Sequence, residues 1–399
     1  MRSVKKSTKR VFSHILRFFL QRLIFPVLYF IGRVQKINPK LAVFATDFFE
    51  SPTDNMLPLI ERARAGGFDT RFHGKLPRHR CFIVRKWRQY KRWLSFFFLI
   101  ARARVIYLDE VFFPANTIRL RKGTSLVQLW HGCGAFKKWG YSTAALDWGA
   151  STRELRWLPM HQSYTHVCVS APAVIPYYAD AFHCREEIIH PWGAPRTDFF
   201  FRPGIAAQCR REVLARFPEI GGRSIVLYAP TFRGNSTISA RHHDDCLDYA
   251  LLTERLGADC ALLLKPHPRV REPIPAPAPA ATPFVFDARD LPIETLLCAA
   301  DLVISDYSSL IFEYALLGRP MLFYAYDLEE YEGQRSFYEP YLSFVPGELV
   351  WSSEELAAGV RRNLFEGGFD KARVEAFRER YMSACDGNST ERIFRYTTL

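Results

Sequence analysis

Two doubly wound α/β halves, each built on a parallel sheet, are what this sequence predicts, and three observations carry the prediction. From residue 37 onward, short apolar runs of strand length alternate with longer stretches of helical period. The scheme runs through twice, on either side of a Pro- and Gly-bearing stretch at 191–204 that reads as a hinge. Polar motifs carrying Gly or Pro also follow the apolar runs directly, and the carboxyl ends of strands are where open parallel sheets hold ligands.

In the first half the runs at 41–46, 68–72, 105–108, 125–130 and 166–170 read as strands, with helices at 56–65 and 87–103. In the second half strands are expected at 224–228, 260–264, 284–286, 302–305 and 321–326, with helices at 245–256, 293–300, 308–317 and 353–363. The domains expected from this are 1–36, a basic amphipathic segment; 37–200; 201–380; and 381–399, a closing segment that returns to the first domain. The segment 272–283, rich in alternating Pro and Ala, reads as an extended loop without chemistry of its own.

A length of 399 residues, 48% of them hydrophobic and 24% charged, excludes a disordered chain and allows two or three cores. The net charge of +13 is local. Residues 1–46 contain ten Lys and Arg and no acid, residues 70–108 contain eleven and no acid, and the remainder is left at net −8. Such blocks point to an anionic partner, phospholipid or nucleic acid. In the second block Trp87, Tyr90 and Trp93 alternate with Arg and Lys, but no nucleic-acid motif accompanies them. It reads as a helix with a solvated front and a sheet-covering rear at 94–101, and as a second membrane contact. The nine cysteines are scattered and form no Cys-x-x-Cys pair, which fits a reducing compartment and gives neither a disulfide framework nor a zinc site.

Residues 1–36 lack the small-residue cleavage site of a signal peptide. The apolar stretch 18–31 falls short of the roughly 20 residues a spanning helix needs, and Gln21, Arg22 and Pro26 interrupt it. Arg10, His14, Arg17 and Gln21 recur on one helical face opposite Phe12, Ile15, Phe19 and Leu23. That is the pattern of an anchor lying in the plane of a membrane surface. Docking of this helix on the protein core is the alternative, and it would strand the charges.

Three motifs carry chemistry. Trp130-His131-Gly132-Cys133-Gly134 follows a strand and runs on to Lys137 and Lys138. Its glycines let a ligand approach the backbone, and an imidazole can exchange a proton near neutral pH. Cys133 has no base beside it in sequence and is not read as a nucleophile. Lys265-Pro266-His267-Pro268 follows the next half's second strand, where two prolines stiffen the backbone around His267 and Lys265 suits a phosphate. Asp306-Tyr307-Ser308-Ser309 joins a strand to a helix, so Ser308 or Ser309 can cap that helix while its N-terminus faces a diphosphate. Thr231 and Arg233 after one strand and Asp327 after another are candidates to clamp a phosphate and to orient a ribose or polyol. There is no Walker loop, no Gly-x-Gly-x-x-Gly after a strand and no zinc spacing. The run His242-His243-Asp244-Asp245 reads as a helix start rather than a metal site, so neither metal nor cofactor is expected.

In order along the chain stand Asp54-Asn55, Gln128-Leu129-Trp130-His131-Gly132, Gly193-Ala194-Pro195-Arg196-Thr197-Asp198, Tyr228-Ala229-Pro230-Thr231, Lys265-Pro266-His267-Pro268, Asp306-Tyr307-Ser308-Ser309 with Tyr324-Ala325-Tyr326-Asp327-Leu328, and Asp386-Gly387-Asn388-Ser389-Thr390-Glu391-Arg392. This series resembles the CDP-glycerol glycerophosphotransferase family, the primases and polymerases of teichoic acid synthesis, over roughly residues 40–395. The resemblance implies a GT-B architecture with the CDP donor on the second domain and monotopic attachment at the cytoplasmic face of a bacterial membrane. It implies transfer of glycerol phosphate or another polyol phosphate to a hydroxyl of a membrane-linked acceptor, with release of CMP.

The same resemblance makes His131 the base and gives His267, Ser308 and Ser309 the donor diphosphate, with Lys265, Arg233, Thr231, Asp306 and Asp327 around it and Gly132, Gly134 and Lys137 in the acceptor loop. Cys133-Gly134-Ala135-Phe136 departs from the family's usual Thr-Pro-Leu-Lys. Long polymerases of the family carry modules ahead of this region, so single transfer and polymerisation both stay open, as does the number of subunits. A nucleotide-sugar glycosyltransferase and a silent partner in a polymer-synthesis complex are the alternatives.

Overall fold

The computed structural model describes residues 13–77, 79–144, 146, 149, 151–233, 247–268, 270 and 284–398. The Pro-rich segment 272–283 and the run 242–245 lie outside them. The chain divides into two units, one made of the residues up to Asp198 together with Ser383 onward, the other Phe199–Met382.

The first unit's strands are β1 (Leu41–Ala45), β2 (Asp69–His73), β3 (Val105–Leu108), β4 (Ser125–Gln128), β5 (His166–Cys168) and β6 (Ile189–His190). They form one all-parallel sheet in the order β2-β1-β3-β4-β5-β6. β1 and β3 have every residue buried, as apolar runs covered on both faces must. β1 pairs with β2 on one side and β3 on the other, so the winding reverses between β1 and β3, and the crevice this opens lies at their carboxyl ends. The edge strand β6 has two residues, too few for any periodicity to show in the sequence.

A helix over Ser13–Gly32, α1, is long and apolar enough to cross a membrane by length and composition. This differs from the expected break: Pro26 sits in the first turn of the stretch Phe25–Gly32, where a proline is tolerated, directly after the π-helical turn Leu20–Ile24. Its orientation is the informative feature. The polar side docks on the protein. His14 pairs with Glu154 at 3.0 Å, Arg17 lies over the Phe113 ring, and the buried Gln21 donates to the Pro159 carbonyl while its own carbonyl accepts from Thr117 at 2.9 Å. Ile15, Phe19, Leu23, Val27 and Phe30 point outward and are about half exposed or more. His14, Arg17 and Gln21 are therefore partnered, and the apolar face is the free one.

Helix α2 (Met56–Ala65) covers one face of the sheet together with the C-terminal helix Ser389–Thr398. Helix α3 (Phe82–Ile100) starts five residues earlier than expected. Its rear buries Phe96, Phe97 and Ile100, and its front exposes Phe82, Ile83 and Trp87. Helix α4 (Thr152–Trp157) supplies Glu154 to His14, and α5 (Ile175–Phe182) packs beneath the loop that follows β4.

The C-terminal helix is tied to the unit by Asp198, whose carboxylate accepts from the backbone N–H of Ser389 at 3.0 Å and Thr390 at 2.8 Å. Gly193, at φ 85°, lies against Ser389 and the Ala384 carbonyl so closely that no Cβ fits. Tyr107 of β3 meets Thr397 at 2.7 Å.

The second unit's strands are β7 (Ser224–Tyr228), β8 (Cys260–Leu264), β9 (Val285–Asp287), β10 (Leu302–Ser305), β11 (Met321–Tyr324) and β12 (Glu348–Val350). They form an all-parallel sheet in the order β12-β11-β10-β7-β8-β9, the Rossmann order, with the winding reversed between β7 and β10. Helices α6 (Ile205–Arg216) and α8 (Ile293–Ala299) pack together, as do α7 (Tyr249–Leu256) and α11 (Ser353–Phe365), the latter pair over a core that includes Val226, Leu262, Ile304 and Leu356. Between them in sequence lie α9 (Leu310–Ala315) and α10 (Leu328–Gln334).

Asp198→Ala removes a remote cap that satisfies two N–H groups of the C-terminal helix, and a cap is worth about 1–2 kcal/mol. Urea unfolding followed by circular dichroism is expected to show a loss of that size; an unchanged midpoint would mean the helix is held without it.

Candidate active site

In the first unit the polar residues gather where the winding reverses. β3 runs into Asp109 and Glu110, and β4 runs into Leu129, Trp130 and His131. The imidazole of His131 is about half exposed, with a side-chain exposure of 53%, and its Nδ1 lies 3.1 Å from Glu110 Oε1. Glu110 was not singled out in the sequence; an acidic pair directly after a buried strand was the available signal.

His131 is aimed by the residue before it. Trp130 has φ 56°, the left-handed region that a bulky side chain occupies only when its surroundings impose it. Asn55, itself buried, donates to the Trp130 carbonyl at 2.6 Å and accepts from Arg196 N–H at 3.2 Å. Gln128 Oε1 accepts from Trp130 N–H at 2.9 Å, and its amide donates to the Glu110 carbonyl at 3.1 Å and to Tyr164 at 2.8 Å. The Trp130 ring is wedged against Phe182 and Trp139. Asn55 and Gln128 thus hold the backbone on which the histidine rides.

The following loop is anchored rather than loose. The Gly132 carbonyl accepts from Tyr178 at 2.9 Å, and Gly134, at φ 63°, donates its N–H to Ser170 at 2.9 Å. Cys133 is buried, consistent with its not being read as a nucleophile, and Lys137 is half-buried.

Asp109 is buried and accepts from the Thr53 hydroxyl through Oδ2, while Oδ1 has no partner among the described residues. Burial pushes its carboxyl up to about 6, against the pull of the Thr53 bond.

In the second unit the loops after β7, β8, β10 and β11 hold the other candidates. Arg233 donates to both oxygens of Asp327, at 2.6 and 2.9 Å, to Asp306 at 2.8 Å and to the Thr231 carbonyl at 2.8 Å. Thr231 gives both its N–H and its hydroxyl to Asp306, and Tyr307 donates to Asp327 at 2.9 Å. With side-chain exposures of 10% for Arg233, 2% for Asp306 and 10% for Asp327, these residues form a buried ionic network that ties three loops together. Arg233 and Asp327, expected as a phosphate clamp and a ribose ligand, are thus paired with each other in this structure. Removing one member leaves a buried charge uncompensated, which costs about 3–5 kcal/mol.

Lys265 donates its ammonium to the carbonyls of Arg289 and Leu291, bracing the loop after β9, and burial lowers its pKa from the ordinary value. His267 is half-buried with its ring 4.8 Å from that of Phe232. Ser309 occupies the cap position of α9 without a side-chain cap bond, and Ser308 Oγ accepts weakly from Leu310 N–H at 3.4 Å. The expected serine cap is therefore slight. Ser308 is half-buried and Ser309 exposed.

The model of the family described as CDP-Glycerol:Poly(glycerophosphate) glycerophosphotransferase matches residues 27–398. The chain belongs to this family. It is a transferase of polyol phosphate from a CDP-activated donor, of the teichoic-acid-synthesis type. A teichoic acid ribitol-phosphate primase of Bacillus spizizenii is 39% identical over 300 residues, 74% of each chain. The Staphylococcus aureus teichoic acid ribitol-phosphate polymerase TarK is 36% identical over 316 residues, and this chain spans 59% of its length. A teichoic acid glycerol-phosphate primase of Bacillus subtilis is 28% identical over 301 residues. Among solved structures, the wall teichoic acid polymerase TagF superposes with a TM-score of 0.74 at 19% identity, covering 97% of this chain and 96% of that one, and so gives the GT-B fold. A UDP-GlcNAc 2-epimerase from Neisseria meningitidis shares the fold at a TM-score of 0.53 and 12% identity.

Asp109 sets a pH dependence. Its carboxyl is raised from 3.8 to about 6, so the stability linked to its neutral form is whole below about 3.8 and is lost as pH rises through about 6. At about 1.4 kcal/mol per unit, the loss reaches at most about 3 kcal/mol. Asp109→Asn is expected to flatten this part of the stability–pH curve measured by urea unfolding; a parallel curve would place the titration elsewhere.

Proposed function

We propose that the chain transfers ribitol phosphate, or glycerol phosphate less efficiently, from its CDP ester to a hydroxyl of a membrane-linked acceptor at the cytoplasmic face of the bacterial membrane. The observation that carries the reading is His131, exposed, aimed by a clamped Trp130 and braced by Glu110. With Nδ1 held by the carboxylate, Nε2 takes the acceptor's proton. The hydroxyl oxygen then attacks the polyol-bearing β-phosphorus, the P–O bond to the α-phosphate breaks, and CMP leaves as the phosphodiester forms. His267, Ser308 and Ser309 meet the charge on the diphosphate from the loops after β8 and β10, and Lys265 holds the neighbouring loop in place. The favoured polyol rests on similarity: relatives named for ribitol phosphate are 31–39% identical, and those named for glycerol phosphate 26–28%.

A positioned general base supplies about 10²–10⁴-fold. His131→Ala is expected to lose a rate factor of that order with donor affinity nearly unchanged, whereas His267→Ala also weakens donor binding. Single-turnover assays and calorimetric titration with CDP-ribitol, CDP-glycerol and UDP-sugars read both effects. Near-normal turnover of His131→Ala, or release of nucleotide only from a UDP-sugar, would refute the reading.

Attachment to the membrane is supported by α1, which turns its polar side to the protein and Phe19, Leu23 and Val27 outward, and by the exposed Phe82, Ile83 and Trp87 of α3. Phe19→Glu combined with Leu23→Glu is expected to release the protein from phosphatidylglycerol vesicles in a flotation assay. Retention at the wild-type level would move the attachment to another surface.

A further inference from the structure

We propose that a basic cavity at the β1–α3 corner of the first unit binds a phosphate group of the acceptor, fixing the acceptor chain so that its hydroxyl reaches His131. The identity of the carrier rests on the transferase reading above; the phosphate site itself rests on the following geometry.

The cavity, of about 300 Å3, is lined by Asp47, Lys75, His79, Arg85, Arg88 and Arg92 among others. It is the structural outcome of the acid-free block 70–108. Arg85, Arg88 and Arg92 stand at i, i+3 and i+7 on α3 and so share one face of the helix. The apolar residues Ile83, Trp87 and Leu94 occupy other positions on the same helix and are exposed.

Four cations, of which Arg92 is held in place, line the cavity with one carboxylate, and that carboxylate is already used. Asp47 Oδ1 lies 2.7 Å from Arg92 Nη1, and Arg92 Nη2 donates to the Thr46 carbonyl at 2.9 Å. Among the described residues no other carboxylate lies within ion-pair range of Lys75, Arg85 or Arg88; Lys75 only reaches the Phe48 carbonyl, at 3.4 Å. Arg92 is 7% exposed, and its Nε has no hydrogen-bond partner among the described residues. Beside the buried Arg92, three cations without a counter-ion among the described residues line the cavity, so its charge is left for an anion from outside the chain. Forked guanidinium donors match the oxygens of a phosphate.

The cavity's place in the sheet selects the ligand. Asp47 leaves the carboxyl end of β1, β1 pairs with β3, and β3 leads to Glu110, which braces His131 after the next strand, β4. Neighbouring strands lie about 4.8 Å apart, so the two sites stand on the same edge of one sheet roughly 10 Å apart at the strand level. A phosphate head group of a bilayer lipid is the other source of the same chemistry. The cavity's position on the edge that holds His131, rather than on the apolar face of α3, favours the acceptor.

The test uses the full chain and the double variant Arg85→Ala with Arg88→Ala; neither side chain is buried and neither is part of the catalytic machinery. Calorimetry with a soluble three-unit poly(ribitol phosphate) oligomer, without donor, is expected to show at least a tenfold weaker Kd. The KM for that oligomer should rise in step, while the KM for the CDP-polyol, kcat at saturating oligomer and flotation on phosphatidylglycerol vesicles stay within twofold. Lys75→Ala, a second variant, should weaken oligomer binding about threefold if the first disturbs the fold. Unchanged oligomer affinity in both variants overturns the proposal, and so does a loss of vesicle binding as large as the loss of oligomer binding, which would make the site a lipid contact. Because the calorimetric measurement needs no turnover, failure of the transferase reading would show separately, as absence of CDP-polyol cleavage in the wild-type chain.

Discussion

In a parallel sheet every strand leaves at the same edge, and this constraint governs the molecule. Residues more than seventy positions apart, such as Thr231 and Asp306, or Asn55 and Trp130, come within hydrogen-bond reach because the strands that precede them are neighbours or near neighbours. The buried apolar runs spend their side chains on the core, so the polar residues just beyond each run are left at the edge with backbone positions already determined. Both sheets also reverse their winding, one between β1 and β3 and the other between β7 and β10, which opens the edge where those polar residues stand.

Position at that edge is held at an energetic cost. Trp130 adopts a conformation foreign to a bulky residue, of order 1–3 kcal/mol. Asn55, Gln128 and a packed aromatic surround oblige it to do so. In the second unit, Arg233 with two buried carboxylates holds the loops after β7, β10 and β11 in one arrangement. Such a network adds little net stability, but it leaves the loops only one geometry. His131 is exposed, and His267 and Ser308 are half-buried; under the proposed reading these are the residues that meet the substrates.

Much of this was legible in the sequence. All ten anticipated strands exist, most of them because buried parallel strands read as uninterrupted apolar runs, although β2 and β9 are only partly buried; β6 and β12, of two and three residues, carry no such signal. His131, His267 and the serine pair were found by their position directly after apolar runs. Pairings were not legible. Nothing local to Arg233 shows that Asp327, 94 residues on, takes its donors, and nothing local to His131 points to Glu110. The N-terminal helix shows the same limit. Its amphipathic pattern was plain, but which face would meet the protein depended on Glu154, the Phe113 ring and the Pro159 carbonyl, all distant in sequence. A polar face can dock when its polar groups find partners, and here His14, Arg17 and Gln21 do.

In transfer of polyol phosphate from a CDP ester the bond broken lies between the two phosphates of the donor, so that the β-phosphate travels with the polyol. Phosphorus NMR of a reaction with a CDP-polyol labelled with oxygen-18 in the bridging position, together with chromatography of the released nucleotide, reads this directly. CMP is expected as the nucleotide released, with a new phosphodiester resonance and the bridging label retained in CMP. Release of CDP, with no new phosphodiester, would contradict it.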